Sequence, residues 1–169
     1  GVEPIHTVSD PKSAVAQAEA IVIGGGNSFH LLYYLYAEDI LDRIRARVLD
    51  GIPYIGWSAG ANIACPTMRT TNDMPIVEPP SLVSLNLVPF QVNPHYIDTH
   101  PPGHAGETRD ERLAEFIEVN RETTVIGLRE GTMLHVEGDT IRLTGGKPAR
   151  IFKYACEPVD TMDVTDITG

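Results

Sequence analysis

The sequence predicts an α/β fold, with a mostly parallel β-sheet and flanking helices, in a single domain over residues 1–169. Short apolar runs rich in β-branched residues alternate with longer amphipathic stretches, as in consecutive βα units. A length of 169 residues suits one domain with a sizeable core. Hydrophobic residues make up 42% and charged residues 21%, which is typical of globular chains and not of disordered ones.

Caps and breakers place the elements of the first half. Asp10-Pro11 is typical of a helix start, because proline is favoured at the first helical position. Gly51 and Pro66 are expected to end helices. The expected elements are helix 11–19, strand 20–23, helices 28–36 and 37–50, strand 53–56 and helix 60–65. The apolar stripe expected on helix 37–50 comprises Ile40, Leu41, Ile44, Val48 and Leu49.

The second half is predicted in the same way. Thr108 and Glu111 form a capping-box pair that opens a helix ending at Val119. Gly138-Asp139 is typical of a hairpin turn. The expected strands are a weak one at 82–88, one at 124–128, the hairpin strands 132–136 and 140–143, and a last one at 150–154. Residues 67–80 and 94–106 are expected to be loops.

Net charge and hydropathy argue against several classes of binding partner and several cellular locations. A net charge of −10 argues against nucleic acid and anionic membrane surfaces. No apolar run reaches the ~18–20 residues of a membrane span. The first residues contain no basic segment followed by an apolar one, so no secretory signal is expected. A cytoplasmic location is expected. Cys65 and Cys156 lack metal-ligand spacing and are interpreted as free thiols, with one disulfide as the alternative.

The segment Gly56-Trp57-Ser58-Ala59-Gly60 matches G-x-S-x-G between a predicted strand and a predicted helix. That context is the one in which a serine is held in a strained turn with its hydroxyl exposed. The N–H of Ala59 and the start of the following helix then favour a developing oxyanion. A glycine-rich turn with an incidental serine is an equal alternative from this pattern alone.

A nucleophilic serine needs a base, which is normally histidine. His95 follows an apolar run at a strand-to-loop edge, where active sites of α/β sheets are found, although a loop histidine without a catalytic role is an equal interpretation. His100 and His104 are interpreted as solvated loop residues and not as metal ligands. His30 and His135 are expected to be structural or exposed.

The turn Gly24-Gly25-Gly26-Asn27 also follows a strand and precedes a helix. It is not a dinucleotide fingerprint, because Phe29 stands where a third glycine is needed, and it lacks the lysine of a P-loop. Its bare N–H groups could stabilise an oxyanion or a carboxylate. A tight turn without chemical use is the alternative.

Longer motifs carry a specific resemblance. They are Ile-Gly-Trp-Ser-Ala-Gly-Ala-Asn at 55–62, Cys-Pro-Thr at 65–67, Arg-Thr-Thr-Asn-Asp-Met-Pro-Ile-Val at 69–77, Gly-Gly-Gly-Asn at 24–27, Asn-Pro-His at 93–95, Gly-Glu-Thr-Arg at 106–109 and Gly-Leu-x-Glu-Gly at 127–131. With these motifs the sequence resembles peptidase E, the α-aspartyl dipeptidase family of serine peptidases. The motifs occur in the family's order and cover essentially the whole chain.

The resemblance implies a Ser-His-Glu triad on a fold related to class I glutamine amidotransferases. Ser58 matches the nucleophile, His95 the general base, and Glu130 the acid that orients the histidine. Without the resemblance, Glu130 would be read as a surface glutamate. Asp98 is a rival orienting group, ranked second because a short loop rarely lets a residue three positions away reach the far ring nitrogen.

The resemblance also implies how the substrate is held. Gly26 matches the residue whose N–H completes the oxyanion hole with that of Ala59, and Asn27 and Trp57 are assigned to the substrate site. Arg109 matches the arginine that binds the substrate's aspartate side chain, which a guanidinium can hold bidentately. A solvated charge in the first turn of a helix is the alternative for Arg109, and the helix dipole disfavours it there.

The implied reaction is hydrolysis of dipeptides with N-terminal aspartate through an acyl-enzyme, with no metal or cofactor. The loops at 67–80 and 99–106 are the expected walls of a small site. Against the family pattern the chain looks N-terminally shortened, and self-association to cover exposed apolar surface is a hypothesis. The alternatives are a cyanophycinase-like or isoaspartyl peptidase, and an inactive truncated binding module.

Overall fold

The computed structural model describes residues 1–99, 103, 105–165 and 167. The chain divides after Pro89 into two compact units, residues 1–89 and 90–169. His100 and His104, and with them part of the predicted loop wall at 99–106, lie outside the described residues. No described helix is long and apolar enough to cross a membrane.

The first unit combines helices with one pair of parallel strands. After a 3-10 turn at Ile5–Thr7, its elements are α1 (Pro11–Gln17), β1 (Ile21–Ile23), α2 (Ser28–Ala37), α3 (Leu41–Leu49), β2 (Tyr54–Gly56) and α4 (Ala59–Ala64). Asp10 caps α1 by accepting hydrogen bonds from the N–H groups of Lys12 and Ser13, as the Asp-Pro pair predicts. Strands β1 and β2 pair in parallel, with Ile21 opposite Tyr54.

The core of this unit lies between its helices and one face of β1. On α3, Leu41 and Ile44 are buried as predicted, and so is Ile40 just before it. Leu49 is 65% exposed, so its place on the apolar stripe was wrong: it lies five positions after the buried Ile44, about 140° away around the helix. Residues 82–88 contribute only one isolated bridge, from Val83 to Thr67, and form no strand.

The described residues of the second unit form one helix, a four-stranded sheet and a hairpin. Its elements are β3 (Gln91–Pro94), α5 (Arg109–Val119), β4 (Val125–Leu128), β5 (Thr132–Glu137), β6 (Thr140–Gly145), β7 (Ala149–Phe152) and β8 (Val159–Thr161). The predicted capping box is confirmed: Thr108 Oγ1 accepts from Glu111 N, and the Glu111 carboxylate accepts from Thr108 N. A small core of α5 and sheet residues surrounds Phe152 and Val125.

Parallel pairing is less common in this unit than the sequence predicts. The sheet order is β3-β4-β7-β8, and only β3 and β4 are parallel, with Asn93 opposite Gly127. Strands β7 and β8 join antiparallel, as do the hairpin strands β5 and β6. A parallel neighbour needs a crossover of about a dozen residues or more, usually a helix. The connection between β7 and β8 is shorter than that, and the connection between β4 and β7 is taken up by the β5–β6 hairpin. The α/β class holds, and the sheet is mixed.

Candidate active site

Ser58 lies in the turn between β2 and α4, with backbone angles φ +54° and ψ −115°. A non-glycine residue in this conformation is strained, because its Cβ crowds the adjacent carbonyl. The strand–turn–helix context that the motif requires is therefore present. The carbonyl of Ser58 accepts hydrogen bonds from the N–H groups of Ala61 and Asn62, so the first turn of α4 fixes the serine backbone.

Glycines at 56 and 60 are required by close backbone packing. A Cβ at Gly60 would lie 2.0 Å from the carbonyl oxygen of Ile23 in β1. A Cβ at Gly56 would lie 2.6 Å from the carbonyl oxygen of Gly60 and 2.8 Å from the ring of Tyr54. Real Cβ contacts are never this short, so the sharp turn at Ser58 closes only with glycine on both sides.

The Gly24–Gly26 turn lies against the serine. A Cβ on Gly25 would be 3.3 Å from the Ser58 Cβ, and the exposed indole of Trp57 lies over Gly24. Within the described residues, the backbone N–H groups of Gly26 and Ala59 donate to no protein acceptor. Ala59 is almost fully buried and Gly26 is exposed, and the N–H of Ala59 is one of the N-terminal donors of α4 that no carbonyl of the helix can satisfy. Such donors suit an oxyanion.

Asn27 caps helix α2 through its side chain. Its Oδ1 accepts from His30 N at 3.1 Å, and its Nδ2 donates to the carbonyl of Met74 at 2.8 Å. The carboxylate of Asp73 accepts from both the N–H and the hydroxyl of the buried Ser28, at 2.7 Å each. The loop at 67–80 is thus tied to the start of α2, next to the glycine turn.

In the second unit, Nδ1 of His95 is hydrogen-bonded to Oε1 of Glu130. His95 follows β3 directly and has φ +55°, a left-handed conformation, while Glu130 lies two residues after the end of β4. The hydrogen bond from His95, and then its charge, hold the pKa of the Glu130 carboxyl below its ordinary value. The structure brings together the histidine and the glutamate that the resemblance selects.

The rival carboxylate, Asp98, is committed elsewhere. It accepts two hydrogen bonds from Arg129, from Nε at 3.0 Å and from Nη2. The guanidinium of Arg129 holds the pKa of Asp98 below its usual range. Asp98 is therefore hydrogen-bonded to Arg129 and not to His95. This agrees with its ranking below Glu130 as the group that orients the histidine.

Arg109 is the first residue of α5, where the helix dipole disfavours a positive charge. Burial, and then the neighbouring charge of Arg112, lower the pKa of its guanidinium. Both effects raise the free energy of the cation at this position, and an incoming carboxylate would offset them.

Tyr54 is a site residue that sequence reasoning missed. It lies in β2, and its hydroxyl donates to the carbonyl of Gly60 across the serine turn at 2.7 Å. A strand tyrosine four residues before the motif serine is the only sequence signal for it.

No group of three or more His, Cys, Asp or Glu within the described part of the chain is arranged to hold a metal ion. Cys65 and Cys156 are thiols and form no disulfide, which was the preferred interpretation, and Sγ of Cys65 donates to the carbonyl of Ala61 at 3.4 Å.

Comparisons with known proteins agree on one family. The model of "Peptidase family S51" matches residues 1–144. Peptidase E of Nostoc sp. (strain PCC 7120) is 51% identical over 166 residues, which cover 95% of this chain and 69% of the relative. Peptidase E of Shewanella sp. (strain ANA-3) is 53% identical over 151 residues, which cover 89% of this chain and 64% of the relative. The chain spans about two thirds of the length of these curated relatives.

Among solved structures, the 1.5 Å crystal structure of a candidate peptidase E from Listeria monocytogenes is similar in fold. The TM-score is 0.65 at 24% identity, and the match covers 85% of this chain and 68% of that one. This likeness concerns the fold alone. The family match over residues 1–144, together with relatives that share half of its residues, shows that this chain belongs to peptidase family S51.

Proposed function

We propose that this chain is a serine-type dipeptidase that hydrolyses dipeptides with an N-terminal aspartate through an acyl-enzyme on Ser58. The observation that carries the proposal is the backbone of Ser58, held at φ +54° between two glycines that no larger residue can replace. Peptidase family membership agrees with a hydrolytic use of that strain.

The placement of the other candidate residues supports the same reaction. In the two parallel pairs, β1–β2 and β3–β4, each strand is followed within about two residues by a candidate group. Active sites of α/β proteins form at the carboxyl ends of parallel strands. On this basis we also propose the class I glutamine amidotransferase-like architecture that the resemblance implies. The candidate groups are the Gly24–Gly26 turn, Ser58, His95 and Glu130.

In the proposed acylation, Oγ of Ser58 attacks the carbonyl carbon of the aspartyl residue while Nε2 of His95 takes the hydroxyl proton. Glu130, ionised because its pKa is lowered, accepts from Nδ1 and keeps Nε2 free to act as a base. The N–H groups of Gly26 and Ala59 donate to the oxyanion. The tetrahedral intermediate collapses, and the second amino acid leaves as an amine with the proton from His95.

In the proposed deacylation, His95 removes a proton from water, and the resulting oxygen attacks the ester carbonyl of the acyl-enzyme. The same two N–H groups stabilise the second oxyanion. Collapse returns the proton to Ser58 and releases free aspartate. No step of this scheme draws on a metal or cofactor.

Selectivity for aspartate is assigned to Arg109. A half-buried guanidinium with a lowered pKa gains more from a carboxylate partner than a solvated one does. This local charge lets a chain with a net charge of −10 select an acidic substrate. A cyanophycinase-like or isoaspartyl peptidase would use the same nucleophile on β-linked substrates. A binding module would use no nucleophile.

Hydrolysis of Asp-Leu by the wild-type chain and by Ser58→Ala tests the proposal. We expect turnover by wild type, loss of more than about 10³-fold in the variant, and stoichiometric labelling of Ser58 by a fluorophosphonate. Ser81→Ala is the matched control, since it removes a partly exposed hydroxyl in the same unit that accepts a local hydrogen bond from Val83 N. Turnover of β-aspartyl peptides in place of Asp-Leu would support the isoaspartyl alternative. No turnover and no labelling would support the binding module.

A further inference from the structure

The His95–Glu130 hydrogen bond joins two exposed side chains, whose exposed fractions are 52% and 69%. Exposed ion pairs contribute little, because water screens them and both side chains lose rotamer freedom. The pair therefore cannot set its own geometry. The turns that carry the two residues must be held by other contacts.

A buried arginine supplies those contacts. Arg129 precedes Glu130 in the chain, and its side chain is only 9% exposed. Its Nε and Nη2 donate to the two carboxylate oxygens of Asp98, three residues after His95. This fork joins the turn that begins at His95 to the turn that contains Glu130.

The remaining donors of Arg129 attach this junction to the rest of the sheet. Nη1 donates to the carbonyl of Pro148 at 2.6 Å, and Nη2 donates to the carboxylate of Asp160 at 3.0 and 3.1 Å. Pro148 directly precedes β7 and Asp160 lies in β8. The guanidinium also lies 5.2 Å from the ring centroid of Tyr96, the residue after His95.

A second arginine extends the network to α5. Arg150 donates to Asp110 at 2.7 Å and to Asp160 at 3.3 Å, so Asp160 bridges the two guanidinium groups. The hydroxyl of Tyr96 donates to Asp110, and its N–H donates to the carbonyl of Leu128 in β4 at 2.9 Å. The residues on either side of the His95 and Glu130 turns are thus fixed to four elements of the second unit.

We propose that Arg129 is a positioning residue for the His95–Glu130 pair. Its fork on Asp98 sets the separation of the two turns, so that Nδ1 of His95 meets the glutamate and Nε2 is left as the base. The inference deepens the proposed function and relies on it for the role of His95. Arg129 occupies the unspecified position of the Gly-Leu-x-Glu-Gly motif.

The tautomer of His95 tests the proposal independently of activity. Long-range ¹H–¹⁵N correlations on the carbon-bound ring protons distinguish Nδ1–H from Nε2–H when the ring is neutral, at a pH of about 9. We expect the Nδ1–H form in wild type. In Arg129→Met and in Glu130→Gln, the ring should lose this preference.

Activity towards Asp-Leu should change in parallel. Arg129→Met is expected to lower kcat by about 10-fold or more, with KM changed by less than about 3-fold, because substrate binding is left intact. Arg129→Lys should restore the charge but not the fork, and so recover only part of kcat. Arg121→Met is the matched control, since it removes an exposed arginine paired with Glu118 in the same unit.

Asp98→Asn keeps the inference testable if Arg129→Met does not fold. Asp98 is 57% exposed, so a folded protein is expected, with the fork weakened and the tautomer preference reduced. A folded variant of either residue with unchanged tautomer and unchanged kcat would overturn the positioning role. If wild type does not hydrolyse Asp-Leu but the tautomer responds as expected, the positioning role stands and the proposed function fails.

Discussion

The hydroxyl of Tyr54 donates a hydrogen bond to the carbonyl of Gly60 at 2.7 Å, and so joins the strand before Ser58 to the helix after it. Burial, and then the nearby Cys65, raise the pKa of the phenol, so it remains a neutral donor at all physiological pH values. This hydrogen bond, which we call the Tyr54 brace, therefore stabilises the strained turn at Ser58. It involves neither His95 nor Glu130.

Tyr54→Phe removes this brace without changing the packing of the ring. We expect a loss of about 1 kcal/mol in the free energy of unfolding, the usual contribution of one such hydrogen bond. kcat for Asp-Leu should fall about 3- to 10-fold with little change in KM, because the serine turn gains freedom. Urea unfolding and steady-state kinetics measure the two effects.

Tyr36→Phe is the matched control, since the hydroxyl of Tyr36 donates to the carbonyl of Val83, away from the serine turn. It should lose similar stability and keep its kcat. Equal kcat losses in both variants would contradict a specific role for the Tyr54 brace.

Gly60→Ala tests the packing at the turn. The new methyl group would meet the carbonyl oxygen of Ile23 at 2.0 Å, so β1 and α4 must separate. We expect destabilisation of about 3 kcal/mol or more and loss of turnover, measured by thermal unfolding and by hydrolysis of Asp-Leu. Gly146→Ala adds the same methyl group into open space and should leave both unchanged. A Gly60→Ala variant with wild-type stability would refute the close approach.

Glu130→Gln should lower kcat by about 10²-fold or more, because an amide cannot hold the histidine as a carboxylate does. The lowered pKa of Glu130 also predicts a pH signature. A carboxyl group with a lowered folded pKa stabilises above its unfolded pKa of about 4.3, and this stability is lost as the pH falls through the folded value.

The difference in Tm between wild type and Glu130→Gln should therefore be small at about pH 6, because the pair is exposed, and should shrink as the pH falls below about 4.3. Differential scanning calorimetry across this range measures it. Glu137→Gln, an exposed glutamate of the hairpin, is the control and should show no such trend. A difference that grows on acidification would reverse the sign and exclude the pair as its source.

Arg109→Lys should lower kcat/KM for Asp-Leu by about 10- to 100-fold, since a lysine loses the bidentate contact to the aspartate carboxylate. Asn-Leu, which offers no carboxylate, should be hydrolysed slowly by both proteins and change little. Arg112→Lys, next to it on α5 but paired with Glu107, should keep wild-type selectivity. Equal losses on Asp-Leu and Asn-Leu would remove Arg109 from substrate selection.

Local rules in the sequence accounted for the serine turn, the cap at Asp10, the capping box at Thr108 and the hairpin. Each depends on residues within about four positions of one another, where sterics and hydrogen bonding act without help from the fold. The pattern also placed His95 at the end of a strand. Because these signals are local, the candidate site could be predicted from the sequence.

Other features depend on partners that are distant in sequence. Arg129 meets Asp98 and Asp160, each 31 positions away, and Arg150 meets Asp110 across 40. Strand β8 is too short and too polar to show the hydrophobic alternation of a strand. It forms because it can pair with the edge of β7. Residues 82–88 have strand-like composition, but there the chain forms only an isolated bridge.

The positive φ angles of Ser58 and His95 carry an evolutionary consequence. Each costs about 1–2 kcal/mol relative to glycine, which adopts this backbone freely. Under the proposed function, selection for peptidase activity maintains both residues against that gain. In a lineage released from such selection, substitution by glycine at these two positions would stabilise the fold. The residues found there would therefore indicate whether a descendant is still an enzyme.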